Sequence, residues 1–217
     1  MKVSLIAMTT PSASTDCHSA NELIAYTARV SNPGNQNNNE SAPKLLKYLI
    51  KNEHWSPFEM VSITMAINTT RDISRQILRH RSFSFQEFSQ RYAESTQFEV
   101  RAARLQDSKN RQNSIETEDA ILSEEWNMKQ VEVLRLARKN YSWALDNGIA
   151  KEQARVILPE GNTETTIYMA GTLRSWIHYC QLRMDVSTQK EHREIAHTCW
   201  YIIGTHFPDV VAAFEQE

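Results

Sequence analysis

Glycine is scarce in this chain. The five glycines among 217 residues are Gly34, Gly148, Gly161, Gly171 and Gly204, and no two of them share a short loop. A P-loop or a dinucleotide-binding turn needs clustered glycines so that backbone N–H groups can approach phosphate closely. Neither can be built here, so any nucleotide must have its phosphates held by side chains. Cysteine is equally sparse. Cys17, Cys180 and Cys199 are odd in number, widely spaced and outside any C-x-x-C arrangement, which argues against a disulfide framework or a zinc site and for reduced thiols in a cytosolic protein. H-E-x-x-H is absent, and His192 and His197 lie five apart, the wrong spacing for one helical face, so no metal is expected. No apolar run approaches the ~20 residues of a membrane span, and the stretch Met1 to Met8 is too brief for a signal peptide. A formal net charge of −2 leaves no broad basic footprint for coating nucleic acid. These absences predict a cytoplasmic protein that engages neither membrane nor nucleic acid.

What is present is ordinary globular composition, 41% hydrophobic and 23% charged, at a length suited to one domain over residues 1–217. Polar stretches from Asn32 to Asn39 and Gln106 to Asn113 read as loops within that domain. Helix signals dominate. Ser19 with Glu22 forms a capping box, and Ser41 with Pro43 opens a helix carrying Leu45, Leu46, Leu49 and Ile50. The span from about Thr117 to Asn147 lacks Gly and Pro and predicts one long helix that Gly148 stops. Further helices are expected over Ala150 to Leu158, Leu173 to Met184 and Thr188 to Gly204. Val61, Ile63, Met65 and Ile67 alternate with small or polar residues, a strand pattern. Phe98 to Leu105, Thr165 to Ala170 and Lys2 to Met8 are weaker strand candidates. The irregular mixture predicts an α+β fold, several helices packed with a mostly antiparallel sheet.

The chemistry concentrates between Arg71 and Tyr92, where Arg71, Arg75, Arg79, Arg81 and Arg91 occur without a lysine. Arg71, Arg75 and Arg79 would stack on one helical face, a mutually repulsive arrangement that carboxylates or a bound phosphate must offset. Arginine suits bidentate grips on phosphate or a planar carbonyl-bearing ring. Ion pairs with Asp72, Glu87 and Glu94 are the simpler explanation for Arg71 and Arg75 taken alone. They do not explain Arg79-His80-Arg81 followed by Ser84, Glu87, Ser89 and Arg91.

The run from Arg79 to Arg91 matches R-H-R-x-x-S-x-x-x-x-S-x-R without a mismatch and resembles the signature of flavin-dependent thymidylate synthases. His54-Trp55-Ser56-Pro57-Phe58-Glu59, Ala154-Arg155-Val156-Ile157-Leu158-Pro159 and the run from Leu173 to Arg183 resemble three further segments of that family, in its order. The resemblance implies a homotetramer with active sites at subunit interfaces, FAD as cofactor, and NADPH, methylenetetrahydrofolate and dUMP as reactants. It implies FAD contacts from Ser31, Ser56, Arg79, His80, Arg81, Glu87, Thr172, Arg174 and His178, with His54 a possible folate or FAD contact. Thr172 stands where many members carry Asn, and His178 where Asn is a common alternative. Around dUMP it implies Gln76, Arg79, Glu87, Ser89, Gln90, Arg91, Arg155 and Arg183. Arg183 is the expected catalytic group, favouring ionisation of uracil N3 as a donor stabilises a developing oxyanion.

Ser89 could be a nucleophile, but a phosphate or ring contact is the simpler reading without an assured base. Cys180 and Cys199 lie in apolar helical sequence and read as packing residues, so no cysteine nucleophile is expected. Trp126, Trp143 and Trp200 read as core or interface residues. Two rivals remain on sequence alone: another flavoenzyme on this scaffold that oxidises NADPH without methylating dUMP, and a single-stranded nucleic-acid binder using the arginine cluster.

Overall fold

The computed structural model describes residues 1–214. Its centre is a four-stranded sheet in the order β1 (Lys2–Met8), β2 (Ser62–Thr70), β6 (Glu164–Thr172), β3 (Ser84–Glu87), antiparallel at every pairing. Helices α1 (Ala20–Ala28) and α2 (Ala42–Lys51) fill the connection from β1 to β2. A short helix α3 (Arg71–Ile77) follows β2, and a hairpin of β4 (Arg104–Gln106) and β5 (Ser114–Glu116) precedes the long α4 (Ala120–Asp146) and short α5 (Lys151–Ala154). Helices α6 (Leu173–Arg183), α7 (Lys190–His206) and α8 (Pro208–Phe214) complete the chain after β6. The fold is α+β, as composition and periodicity indicated.

Alternation decides which sheet face is covered. Ile63, Met65 and Ile67 of β2 are buried, and register sets Met65 against Met169 and Ile67 against Ile167 of β6. Side chains two apart share a face, so these pairs form one apolar floor on which α3, α6 and α7 pack. Trp176 of α6 is fully buried there, its indole N–H donating to the Ile63 carbonyl at 3.1 Å. Ser19 caps α1, accepting from Glu22 N at 3.2 Å.

Three expectations need correction. Phe98 to Leu105 is not a strand. Only an isolated bridge from Phe98 to Thr163 and the start of β4 are extended partners. Between them the Arg101 backbone is satisfied by a side chain: its N–H donates to Gln130 Oε1 at 2.9 Å, and Gln130 Nε2 donates to its carbonyl at 2.8 Å. The helix expected to Leu158 is α5 plus a 3-10 turn over Arg155–Ile157, because Pro159 pushes the preceding residue into extended backbone. Helix α3 ends at Ile77, so Arg79 does not stack above Arg71 and Arg75. Its buried stripe is Ile73 and Ile77, and the next position on that stripe is Arg81, which cannot continue the core. The chain turns instead and inserts Phe83. Strand β3, unmarked in the sequence reading, follows.

Phe83 fits because Gly171 lies opposite. A Cβ on Gly171 would meet Phe83 Cδ1 at 2.5 Å and Cε1 at 2.7 Å. The ring has little room to retreat, standing 4.9 Å from Trp176, edge to face. Gly171→Ala is expected to destabilise the protein by about 1–3 kcal/mol, the cost of overpacking a tight core. Urea unfolding measures it, and an unchanged midpoint would contradict the contact.

Candidate functional site

The strand pair β2–β6 places the site. The strands are antiparallel, so α3 leaves the end of β2 beside the start of β6, while α6 leaves the opposite end of the pair. Each helix runs back over the sheet, α6 for about 16 Å and α3 for about 10 Å at 1.5 Å per residue. Their C-terminal ends meet, where both helix dipoles favour positive charge. There Arg183 Nε donates to His80 Nε2 at 2.9 Å. Accepting that bond leaves the His80 proton on Nδ1. Burial and the neighbouring Arg183 charge lower the His80 pKa to about 4, so the ring is neutral at physiological pH. Tyr179 at 4.9 Å and Phe83 at 6.5 Å hold the ring edge to face. With Nε taken by His80, the terminal guanidinium nitrogens of Arg183 have no hydrogen-bond partner among the described residues. They are free to meet a ligand.

Gln76, on the last turn of α3, donates to Gln189 and bonds His192, whose ring stands 6.3 Å from that of His80. Arg79 and Arg81, in the turn after α3, are exposed and make no ion pair among the described residues. Arg71 and Arg75 are paired: Arg75 with Glu87 and, at 3.8 Å, Glu160; Arg71 with Glu160 at 3.2 Å. Glu94 and Asp72, also expected as partners, are not used by them; Asp72 pairs with Arg101 at 3.0 Å. Glu87 accepts from Ser74 at 2.8 Å, Thr165 at 3.1 Å and Arg75. Burial alone would raise its pKa; the bonds from Arg75 and Ser74 outweigh this and lower it.

A second group lies elsewhere on the chain. Arg91 Nε is 3.3 Å from the Glu152 carboxylate, and Arg155 Nε donates to the Glu152 carbonyl at 3.3 Å. The Ser89 hydroxyl oxygen accepts from the Arg91 N–H at 3.3 Å, and no base is bonded to that hydroxyl among the described residues, which favours contact over nucleophile. Gln90 is buried, its Nε2 without a partner among the described residues. No hydrogen bond or ion pair among the described residues joins this group to His80 and Arg183.

The third group surrounds Trp55. His178 packs against its ring at 4.7 Å, and burial, then the Arg174 charge, lowers the His178 pKa. Arg174 pairs with Glu59 in the turn that begins at Ser56. Trp55 and His178 line an open cavity of about 670 Å³ with Lys47 and Lys51. Thr172 caps α6, accepting from Ser175 N at 3.3 Å. His54 and Ser31 are exposed, His54 with Tyr48 6.1 Å away. Sequence reading missed a second cavity, about 610 Å³, lined by Arg101, Arg104, Leu105, Trp126, Gln130 and Gln189 among others. It takes in none of the residues singled out above as nucleotide contacts. Cys180 and Cys199 are fully buried and burial raises both thiol pKa values, so neither is a thiolate. Among the described residues no cluster of His, Cys, Asp or Glu could hold a metal ion, and no helix is long and apolar enough to cross a membrane.

The family model described as thymidylate synthase complementing protein matches residues 13–209. The chain belongs to this family. It is 51% identical to a flavin-dependent thymidylate synthase of Synechocystis sp., over 99% of this chain and 100% of that protein. It is 48% identical to a probable flavin-dependent thymidylate synthase of Paramecium bursaria Chlorella virus 1, over 99% of each chain. In structure it is similar to the UMP/dUMP methylase PolB from Streptomyces cacaoi bound with 5-Br dUMP. The TM-score is 0.82 and the identity 27%, covering 99% of this chain and 94% of that one.

Proposed function

We propose that this protein methylates dUMP to dTMP, with methylenetetrahydrofolate as the one-carbon donor and NADPH-reduced FAD as the hydride source. It would do so in the cytoplasm, the whole chain forming one functional unit. The observation that carries this reading is the Arg183–His80 pair: an arginine oriented through Nε by a neutral histidine, its terminal N–H groups open. Such a guanidinium stabilises the negative charge of a uracil ring ionised at N3, which makes C5 nucleophilic, and arginine does this without giving up its own proton. The buried, protonated thiols of Cys180 and Cys199 are unsuited to attack uracil C6, which agrees with a route that needs no cysteine.

The donor set fits a flavin dinucleotide. Arg79 and Arg81 are exposed cations without carboxylate partners among the described residues, suited to a diphosphate that no glycine loop is present to hold. Arg174 and His178 extend that set beside the Trp55 ring, with Ser31, Ser56 and Thr172 on its margin and His54 a folate or flavin contact. When bound, the flavin supplies the redox chemistry. In this reading Gln76, Arg79, Glu87 and Arg183 form one part of the dUMP site, and Ser89, Gln90, Arg91 and Arg155 the other.

Among the described residues no hydrogen bond or ion pair joins Ser89, Gln90, Arg91 and Arg155 to His80 and Arg183, which fits a homotetramer with active sites completed by neighbouring subunits. Helix α4 supplies a surface for such contact: Ile121, Trp126, Met128, Val131, Leu136 and Trp143 are all exposed, and large exposed apolar side chains gathered on one element mark interaction surfaces. Calorimetric titration of dUMP into the FAD-loaded protein tests the reading. Saturable binding to the wild type, lost in Arg91→Ala as well as in Arg183→Ala, is expected. A flavin-binding protein indifferent to dUMP would be a different flavoenzyme on this scaffold.

A further inference from the structure

His192 is fully buried at the first turn of α7 and belongs to none of the family-like segments. Its two ring nitrogens face Gln76 Oε1 at 3.3 Å and the Tyr179 hydroxyl at 3.1 Å. Gln76 Nε2 in turn donates to Gln189 Oε1 at 2.7 Å, and Gln189 Nε2 donates to Glu191 Oε2 at 3.0 Å. Glu191 is ion-paired to Arg101 at 3.1 Å and to Arg104. The five side chains form a single line, and one end sets the direction of the rest.

An ionised carboxylate only accepts. Gln189 must therefore turn its NH₂ toward Glu191 and its carbonyl toward Gln76. Gln76 must answer with its NH₂, which places its carbonyl against His192. His192 must then carry its proton on Nδ1 and leave Nε2 bare for the tyrosine hydroxyl, which donates. Each link admits one orientation once Glu191 is charged. Reversing Gln76 would set two acceptors against each other at Gln189, a loss comparable to leaving a buried polar group unpaired.

We infer that His192 is a positioning residue for substrate: its Nδ1–H holds the Gln76 amide so that Gln76 presents its remaining N–H, a donor, to an oxygen of the nucleotide. The inference rests on the reading that Gln76 faces dUMP. Gln76 is only partly buried, and the His192 ring that holds it stands 6.3 Å from the His80 ring, which sets that N–H on the side of the Arg183–His80 pair. Histidine suits the task because a neutral imidazole donates at one nitrogen and accepts at the other, closing the line at both ends.

The test measures dUMP affinity and turnover on the FAD-loaded protein. His192→Leu frees the Gln76 carbonyl and is expected to weaken dUMP about tenfold, the worth of one oriented hydrogen bond. The loss should appear as a raised KM for dUMP, with kcat and bound flavin per chain within about twofold of wild type. His192→Asn, whose amide nitrogen replaces Nδ1, should recover most of the affinity. In a Gln76→Ala background, His192→Leu should add less than about twofold. Gln76→Glu keeps the shape but cannot donate, and should weaken dUMP at least as much as His192→Leu does; this variant leaves the buried histidine in place. Wild-type affinity in His192→Leu or Gln76→Glu, or multiplied losses in the double variant, would overturn the inference while the functional reading stands. Wild-type protein that does not bind dUMP would overturn that reading itself.

Discussion

Replacing Arg183 by alanine is expected to cut dTMP formation by at least about 100-fold, the scale of losing one preorganised donor to a developing anion, with FAD still bound. The geometry gives the reason. Arg183 spends Nε on His80 and keeps its terminal nitrogens for the ligand. Lysine keeps the charge but cannot bridge His80 and a ring carbonyl together, so Arg183→Lys should recover only a small part of the rate. The fold should tolerate both changes. Alanine leaves His80 Nε2 without its donor, costing about 1 kcal/mol, and Arg183 makes no salt bridge among the described residues that would be broken. A melting temperature near wild type with turnover gone is the expected pair of results. Wild-type turnover in Arg183→Ala would remove its assigned role.

The largest loss of stability is expected at Glu191. Its carboxylate is held between Arg101 and Arg104, with the Glu191 side chain 9% exposed and the arginines 14% and 12%. Arg104 has no other salt bridge among the described residues, and its Nη1 is already buried without a partner. Glu191→Ala strands that guanidinium and should cost about 3 kcal/mol, as breaking one side of a buried pair does. For a chain of this size that lowers the melting temperature by roughly 6–12 °C. Acid should reproduce part of the effect. Burial alone would raise the Glu191 pKa, but the bond from Arg104 and the charge of Arg101 overcome it and hold the folded value below the usual one of 4.5. A depressed carboxylate contributes stability above its unfolded pKa and loses it as pH falls through the folded pKa. Stability should therefore drop as pH falls below about 4.5, and less steeply in Glu191→Gln, which cannot titrate. Equal slopes in the two proteins would contradict this.

Much of the fold was legible because it depends on local pattern. The alternation at Ile63, Met65 and Ile67 marked a half-buried strand, and the Gly- and Pro-free run marked α4 to within a few residues. What was not legible depends on partners distant in sequence. Phe98 to Leu105 looks like a strand until Gln130, on another element, takes the Arg101 backbone bonds. The stacked face of Arg71, Arg75 and Arg79 assumed a helix reaching Arg79, but α3 ends at Ile77, where its buried stripe would next have to bury Arg81.

The candidate site divides the same way. Arg79, His80 and Arg183 were marked by the R-H-R run and the segments that resemble the family, Gln76 only by the dUMP set that the resemblance implies, and the structure brings His80 and Arg183 into contact. His192 gave no signal. Its neighbours in space, Gln76 and Tyr179, are 116 and 13 positions away, and its spacing to His197 suggested only the absence of a metal site. Trp126 and Trp143 were left between core and interface; their exposure on α4 removes the core reading for a single chain.

The central claim is tested most directly by dTMP formation from dUMP, methylenetetrahydrofolate and NADPH, with FAD supplied to or withheld from the stripped protein. Product that requires both FAD and NADPH is the expected result. NADPH oxidation without product, in protein that is folded and flavin-loaded, would contradict it.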